Sequence, residues 1–217
     1  MLEHLKIIGE KSGEGSPVLV LLHGRGSHMG DLQGLSGILS EKASLITPQA
    51  PHPGDRWGYG PGWAWYRYLG EGRADRASLS DSLGLLETFL SELPQVLGFE
   101  PGPVVLGGFS QGGTTSLAYA LSHPGQMAGV VNLSGFLVNP QSPDSGLEKL
   151  GDTPLFWAHG TEDPAVPFSL ALSGRESIRA VGGKMEVKDY PMGHWVCPEE
   201  MEDLEAWLWR EVPGWGD

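Results

Sequence analysis

The stretch Val104-Val105-Leu106-Gly107-Gly108-Phe109-Ser110-Gln111-Gly112-Gly113 decides how this chain folds. Its apolar start reads as a buried strand. The residues beyond it, Thr115-Ser116-Leu117-Ala118-Tyr119-Ala120-Leu121, carry a helical pattern. Between them lies Gly108-Phe109-Ser110-Gln111-Gly112. A strand that turns at once into a helix puts the serine at the turn into strained backbone. Small residues two before and two after it let neighbouring chains come close. The serine Oγ then stands above the sheet, and the helix N-terminus aims backbone N–H groups at negative charge beside it. The competing reading is a glycine-rich turn with a capping serine. In a chain this rich in glycine, the bare Gly-x-Ser-x-Gly pattern arises by chance about 0.4 times, so the flanking strand and helix carry the weight.

Working outward, short apolar runs at 18–22, 44–47, 130–133 and 155–158 read as further buried strands. The alternating run 184–190 reads as a strand nearer a sheet edge. Leu79, Leu83, Leu86, Leu90, Leu93 and Leu97 form one apolar helical stripe, which Pro94 should bend or restart. A third helix covers 170–181 and is opened by Pro167 in a first-turn position. Met201, Leu204 and Leu208 mark the last, with Pro198 and two glutamates at its start. Strand and helix alternate, which predicts an α/β fold: one mostly parallel sheet with helices on both faces, in a single domain over 1–217. Two stretches, 50–73 and 139–153, are expected to be irregular, and loops of that length are often functional.

Composition narrows the function. Glycine supplies 33 of 217 residues, yet 40% of the chain is hydrophobic, including eight tryptophans. That is too much core material for a disordered chain. The formal net charge of −13 argues against binding nucleic acid, which needs cations to replace phosphate counterions, and against docking on anionic lipid. No apolar run is long enough for a membrane span. With a single cysteine, Cys197, and a charged N-terminus, a reducing cytoplasmic location is expected.

Serine is a poor nucleophile without a base, and the base needs an orienting acid. In this kind of fold the chain order is serine, acid, histidine. His194 follows the strand ending at Tyr190, at a carboxyl strand end where ligands bind, and is the expected base. His159 is expected to be structural. Asp163, in the loop beyond it, is the expected acid, with Glu162 its nearest competitor and Asp152 and Asp189 weaker ones. The oxyanion is expected to lie against two backbone N–H groups, of Gln111 and, in the loop Leu22-His23-Gly24-Arg25-Gly26, of Arg25. Trp57, Tyr59, Trp63, Trp65 and Tyr66 offer aromatic surface for a substrate pocket or for ordinary packing, and Trp195 flanks the base. Trp63, Trp65 and Trp195 are taken as the pocket residues. His194, Cys197 and Glu199 lack the paired spacing of a metal site, so no metal is expected.

With these residues placed, the chain resembles the phospholipase/carboxylesterase family of serine α/β-hydrolases, which includes acyl-protein thioesterases. The resemblance rests on Leu-His-Gly-Arg-Gly at 22–26 with Asp31 beyond it, and Gly-Gly-Phe-Ser-Gln-Gly-Gly at 107–113. It rests also on His-Gly-Thr-Glu-Asp-Pro-Ala-Val-Pro at 159–167 and Gly-His at 193–194 followed by Glu199-Glu200 and Trp207-Leu208. It implies an α/β-hydrolase fold with a small cap, a carboxylesterase without cofactor, frequent homodimers and a small-molecule ester as substrate. It carries Ser110, Asp163 and His194 over as the catalytic triad, and the amides of Arg25 and Gln111 as oxyanion donors. The loop 54–70 departs from the family in its glycine and aromatic content, so substrate contacts there do not carry over. Two other readings stand beside this one: a non-catalytic binding protein on the same scaffold, and a lactone or peptide hydrolase using the same triad.

Overall fold

The computed structural model describes residues 1–138 and 147–216. Seven strands form one sheet: β1 (His4–Ile7), β2 (Val18–Leu22), β3 (Ser44–Pro48), β4 (Val104–Phe109), β5 (Gly129–Leu133), β6 (Leu155–Gly160) and β7 (Met185–Tyr190). Their order is β1-β3-β2-β4-β5-β6-β7. β1 runs antiparallel to β3, and every other neighbouring pair is parallel. The helices are α1 (Arg76–Ser91), α2 (Leu93–Leu97), α3 (Gln111–Ser122), α4 (Phe168–Ala180) and α5 (Pro198–Glu211).

The runs are mainly apolar because both sheet faces are covered, and the polar residues within them, Ser44, Thr47 and Asn132, are themselves buried. In β2, Val18, Val20 and Leu22 join a core with Leu86 and Phe89 of α1, Leu117 of α3 and Ile178 of α4. Leu19 and Leu21 point the other way, into a second core with Leu204, Trp207 and Leu208 of α5. A short 3-10 segment, Asp31–Ile38, adds Leu32 and Ile38 to that second core.

Several expectations change in detail. The leucine stripe is two helices: α1 ends at Ser91, and α2 restarts with Pro94 in its first turn. Pro167 is the N-cap of α4 and not a first-turn residue. β7 is indeed an edge strand. The stretch 50–73 is less irregular than expected: His52–Pro53 pairs with Trp63–Ala64, and Tyr68–Gly70 with Arg73–Ala74. Of the second expected loop, 139–146 lie outside the described residues, and Leu147–Leu150 is a 3-10 turn. Glu199 and Glu200 stand in the first turn of α5 as expected; Glu200 is buried there, and loss of water pushes its carboxyl up to about 8. No described helix is long and apolar enough to cross a membrane.

The chain order along the sheet reverses between β2 and β4, since β3 lies on one side of β2 and β4 on the other. Loops leaving the carboxyl ends of β2 and β4 therefore part and leave a crevice. The contact that shapes it is backbone on backbone. A methyl group at Gly112, in the first turn of α3, would run into the carbonyl oxygens of Leu22 and His23. We expect Gly112→Ala to cost about 2 kcal/mol, the usual scale of overpacking. Gly84 on α1 has open space around it, so Gly84→Ala should add about 0.5–1 kcal/mol. Urea unfolding midpoints check both, and a Gly112→Ala midpoint at or above wild type would contradict the packing argument.

Candidate active site

Ser110 sits between β4 and α3 with φ 56° and ψ −115°, a conformation L-residues rarely adopt. Its N–H is not wasted, since it donates to the Leu133 carbonyl at 2.7 Å. Its Oγ lies 2.9 Å from His194 Nε2. His194 Nδ1 in turn lies 2.6 Å from Asp163 Oδ2. A carboxylate only accepts, so Nδ1 carries the proton and Nε2 is free to take one from the serine. Phe109 supports the imidazole face, with ring centroids 4.7 Å apart.

Asp163 is fully buried and its oxygens are all engaged. Oδ1 accepts from the N–H groups of Ala165 and Val166, each at 2.8 Å. This tight turn separates it from its competitors. Glu162, one residue earlier, is exposed, and so is Asp152. Asp189 is bonded to the buried Arg175 at 2.6 Å. His159 donates from Nε2 to the Val166 carbonyl at 2.9 Å, which braces the same turn. Burial lowers its pKa, so it stays neutral.

The expected oxyanion donors flank Ser110. Neither the Arg25 N–H nor the Gln111 N–H has a partner among the described residues. Both residues line one cleft together with Ser110 and His194. The Arg25 loop is held on each side. Trp65 Nε1 donates to the His23 carbonyl at 3.0 Å, and the Gly26 N–H donates to the Trp63 carbonyl at 2.8 Å. His23 itself is buried; its Nδ1 donates to the Gly24 carbonyl at 2.8 Å and its Nε2 accepts from the Ala50 N–H at 3.1 Å.

The three tryptophans expected in the pocket are not there. Trp65 is fully buried beneath the site, Trp63 pairs through its backbone with Ser27, and Trp195 faces solvent with 58% of its surface exposed. The cleft, about 140 Å³, is lined instead by Tyr66, Tyr68, Phe136, Ala165 and Val166 beside the reactive groups. Tyr66 and Tyr68 belong to the aromatic loop already singled out. Phe136 carried no signal in the sequence and arrives from the turn after β5. Gln111 was expected only as a backbone donor, yet its side chain also accepts from the Trp65 N–H at 2.7 Å and donates to the Tyr66 carbonyl at 2.8 Å. Among the described residues, no group of three His, Cys, Asp or Glu side chains is placed to hold a metal ion.

Comparison with known proteins points the same way. The profile of the phospholipase/carboxylesterase family matches residues 3–210. Acyl-protein thioesterase 1 of Cryptococcus neoformans is 33% identical, over 95% of this chain and 96% of its own. Two solved structures share the fold. Zea mays acyl-protein thioesterase 2 has a TM-score of 0.81 at 24% identity, covering 97% of this chain and 99% of that one. A Bacillus cereus carboxylesterase has a TM-score of 0.82 at 22% identity, covering 98% and 95%.

Burial of His23 lowers its pKa from 6.5 to about 4. As pH falls through that interval the unfolded chain takes a proton that the folded chain refuses. Stability from this residue is therefore complete above pH 6.5 and lost as pH falls toward 4. The loss is about 3 kcal/mol, and His159 adds to it with the same sign. Urea unfolding at pH 7 and pH 4 should show a smaller drop for His23→Gln than for wild type. Equal drops would mean that His23 is not buried neutral.

Proposed function

The chain belongs to the phospholipase/carboxylesterase family, and from that premise we propose that it cleaves carboxylic esters and thioesters through Ser110, His194 and Asp163. That it is a carboxylic-ester hydrolase follows from the family and its relatives. The observation that carries the triad is the unbroken chain from Ser110 Oγ to His194 Nε2 at 2.9 Å and from His194 Nδ1 to Asp163 Oδ2 at 2.6 Å.

In this reading Ser110 Oγ attacks the acyl carbonyl while His194 Nε2 takes its proton. The buried Asp163 holds the imidazole tautomer and stabilises the imidazolium. The carbonyl oxygen becomes an oxyanion between the N–H groups of Arg25 and Gln111, at the N-terminus of α3. His194 hands its proton to the departing alcohol or thiol, leaving an acyl-serine. Water then attacks that ester as His194 takes one of its protons, and the proton returns to Ser110 as the acid leaves.

The size of the cleft favours short acyl groups. Its volume of about 140 Å³ falls below the roughly 300–1,000 Å³ of sites that enclose drug-sized ligands. Relatives named as acyl-protein thioesterases support thioesters as well as oxygen esters. Ser110→Ala should abolish turnover of p-nitrophenyl esters and labelling by a fluorophosphonate probe. Asp163→Asn should retain the fold and lose about 10³–10⁴-fold in kcat. Wild-type-like turnover by Ser110→Ala would overturn the reading. Across p-nitrophenyl esters, kcat/KM should be highest for acetyl to hexanoyl chains and fall for decanoyl. A flat profile would remove the cleft from substrate selection.

A further inference from the structure

Among the described residues, the cleft carries one fixed charge beyond its reacting groups, and that charge is positive. Arg25 is exposed, and its guanidinium lies over the rings of Tyr59 and Tyr68, 4.8 and 5.8 Å from their centroids. Its N–H groups have no carboxylate or other acceptor among the described residues. Among the described residues, no acidic side chain lines the cleft. In a chain with a net charge of −13 this is unusual, since acids outnumber bases 27 to 14.

The aromatic bed fixes where the cation stands. Tyr59 Oη accepts from the Tyr68 N–H at 2.7 Å, and Tyr68 Oη accepts from the Gly72 N–H at 3.2 Å. Both rings are therefore tied to backbone and hold the guanidinium by cation–π attraction over their faces. That attraction uses the π faces and leaves the guanidinium edge, with its N–H donors, unspent. A planar fork of N–H donors matches a carboxylate or a phosphate. Backbone and side chain of Arg25 thus offer two services at one place: an N–H toward the oxyanion and a cation a side-chain length away.

We propose that Arg25 is a specificity residue whose guanidinium binds an oxyanionic group, carboxylate or phosphate, on the substrate being hydrolysed at Ser110. The preferred substrates are then monoesters or thioesters that carry such a group near the scissile bond. The inference rests on the reading of Ser110 as the nucleophile. A guanidinium that merely clamps the two tyrosines would help all substrates alike.

The test compares charged and neutral esters of matched size. One arm uses p-nitrophenyl hemiglutarate against p-nitrophenyl valerate, with the charge on the acyl side. Another uses 2-acetoxyethyl phosphate against 2-methoxyethyl acetate, with a phosphate on the alcohol side. Wild type should favour the charged member of at least one pair by about tenfold in kcat/KM. Arg25→Met should abolish that preference, Arg25→Lys should keep part of it, and raised salt should reduce it. The arm that responds identifies the oxyanion. Equal charged-to-neutral ratios in wild type and Arg25→Met overturn the proposal. If Arg25→Met does not fold, glutarate and inorganic phosphate are tested as competitive inhibitors of wild-type valerate ester hydrolysis at constant ionic strength. Absence of inhibition by both overturns it as well. Turnover of valerate ester with no charge preference defeats this proposal alone. Failure of wild type on every ester, with no fluorophosphonate labelling of Ser110, defeats the proposed mechanism and this inference together.

Discussion

The first turn of α3 lies against the carbonyl end of β2 with no side chain between them, and the rest of the site hangs on that contact. Because α3 begins there, the chain leaving β4 has no room to relax, and Ser110 takes its positive φ. Strain of this kind, of order 1–3 kcal/mol, persists only where the surroundings fix it. Here they do. The Ser110 N–H is tied to β5 and the Ser110 carbonyl accepts from the Thr114 N–H, so the turn is held from both ends. Gln111 then transmits the position of this turn outward. Its buried amide grips Trp65 and Tyr66, and Trp65 grips the His23 carbonyl. The Ser110 turn, the Arg25 loop and the aromatic loop are thereby one hydrogen-bonded unit.

Asp163 and His194, the proposed acid and base, come from the other half of the sheet, past β5, and are held by different means. A buried carboxylate is costly unless its lone pairs are filled. Asp163 satisfies this with two backbone N–H groups and one imidazole, and no cation is needed. The arrangement leaves the reactive region without a permanent salt bridge. In the proposed reaction, the charge that develops on His194 is met by Asp163, and the charge that develops on the substrate is met by N–H dipoles.

The sheet was largely legible because burial on both faces writes its central strands as short, mainly apolar runs. β2 and β5 are found at nearly the expected bounds. β4 and β6 extend two or three residues further, since glycine and histidine at their ends carry no strand signal. β1 escaped notice: it pairs on one side only, and its burial is partial. Ser110, His194 and Asp163 could be picked out by chain order and by their places at carboxyl strand ends. Choosing Asp163 over Glu162 on composition alone was not secure, because the choice is made by a backbone turn that aims one carboxyl inward. The pocket residues were misread for a related reason. In the aromatic loop, Trp63 and Tyr68 stand in paired segments only two or three residues long, with Trp65 and Tyr66 in the irregular chain between them. Trp63 and Trp65 are directed away from it, while Tyr66 and Tyr68 line it. Register of such short ribbons leaves no periodicity in a sequence.

The surplus of glycine in that loop has a physical use as well. A methyl group at Gly62 would collide with the backbone of Gly26, so the aromatic loop and the Arg25 loop touch main chain to main chain. Larger residues there would lift the aromatic loop off the site and carry Tyr59 away from Arg25. The same closeness lets the Gly26 N–H reach the Trp63 carbonyl. Glycine therefore does two jobs along this chain. Around Ser110 it admits a strained turn into a close-packed sheet. Around Arg25 it brings the aromatic loop close enough for the Tyr59 and Tyr68 rings to lie under the guanidinium, the arrangement on which both proposed roles of Arg25 rest. On the proposed reading, chemistry is set by the sheet and its switch point, and selectivity by the loop whose glycine and aromatic content departs from the family.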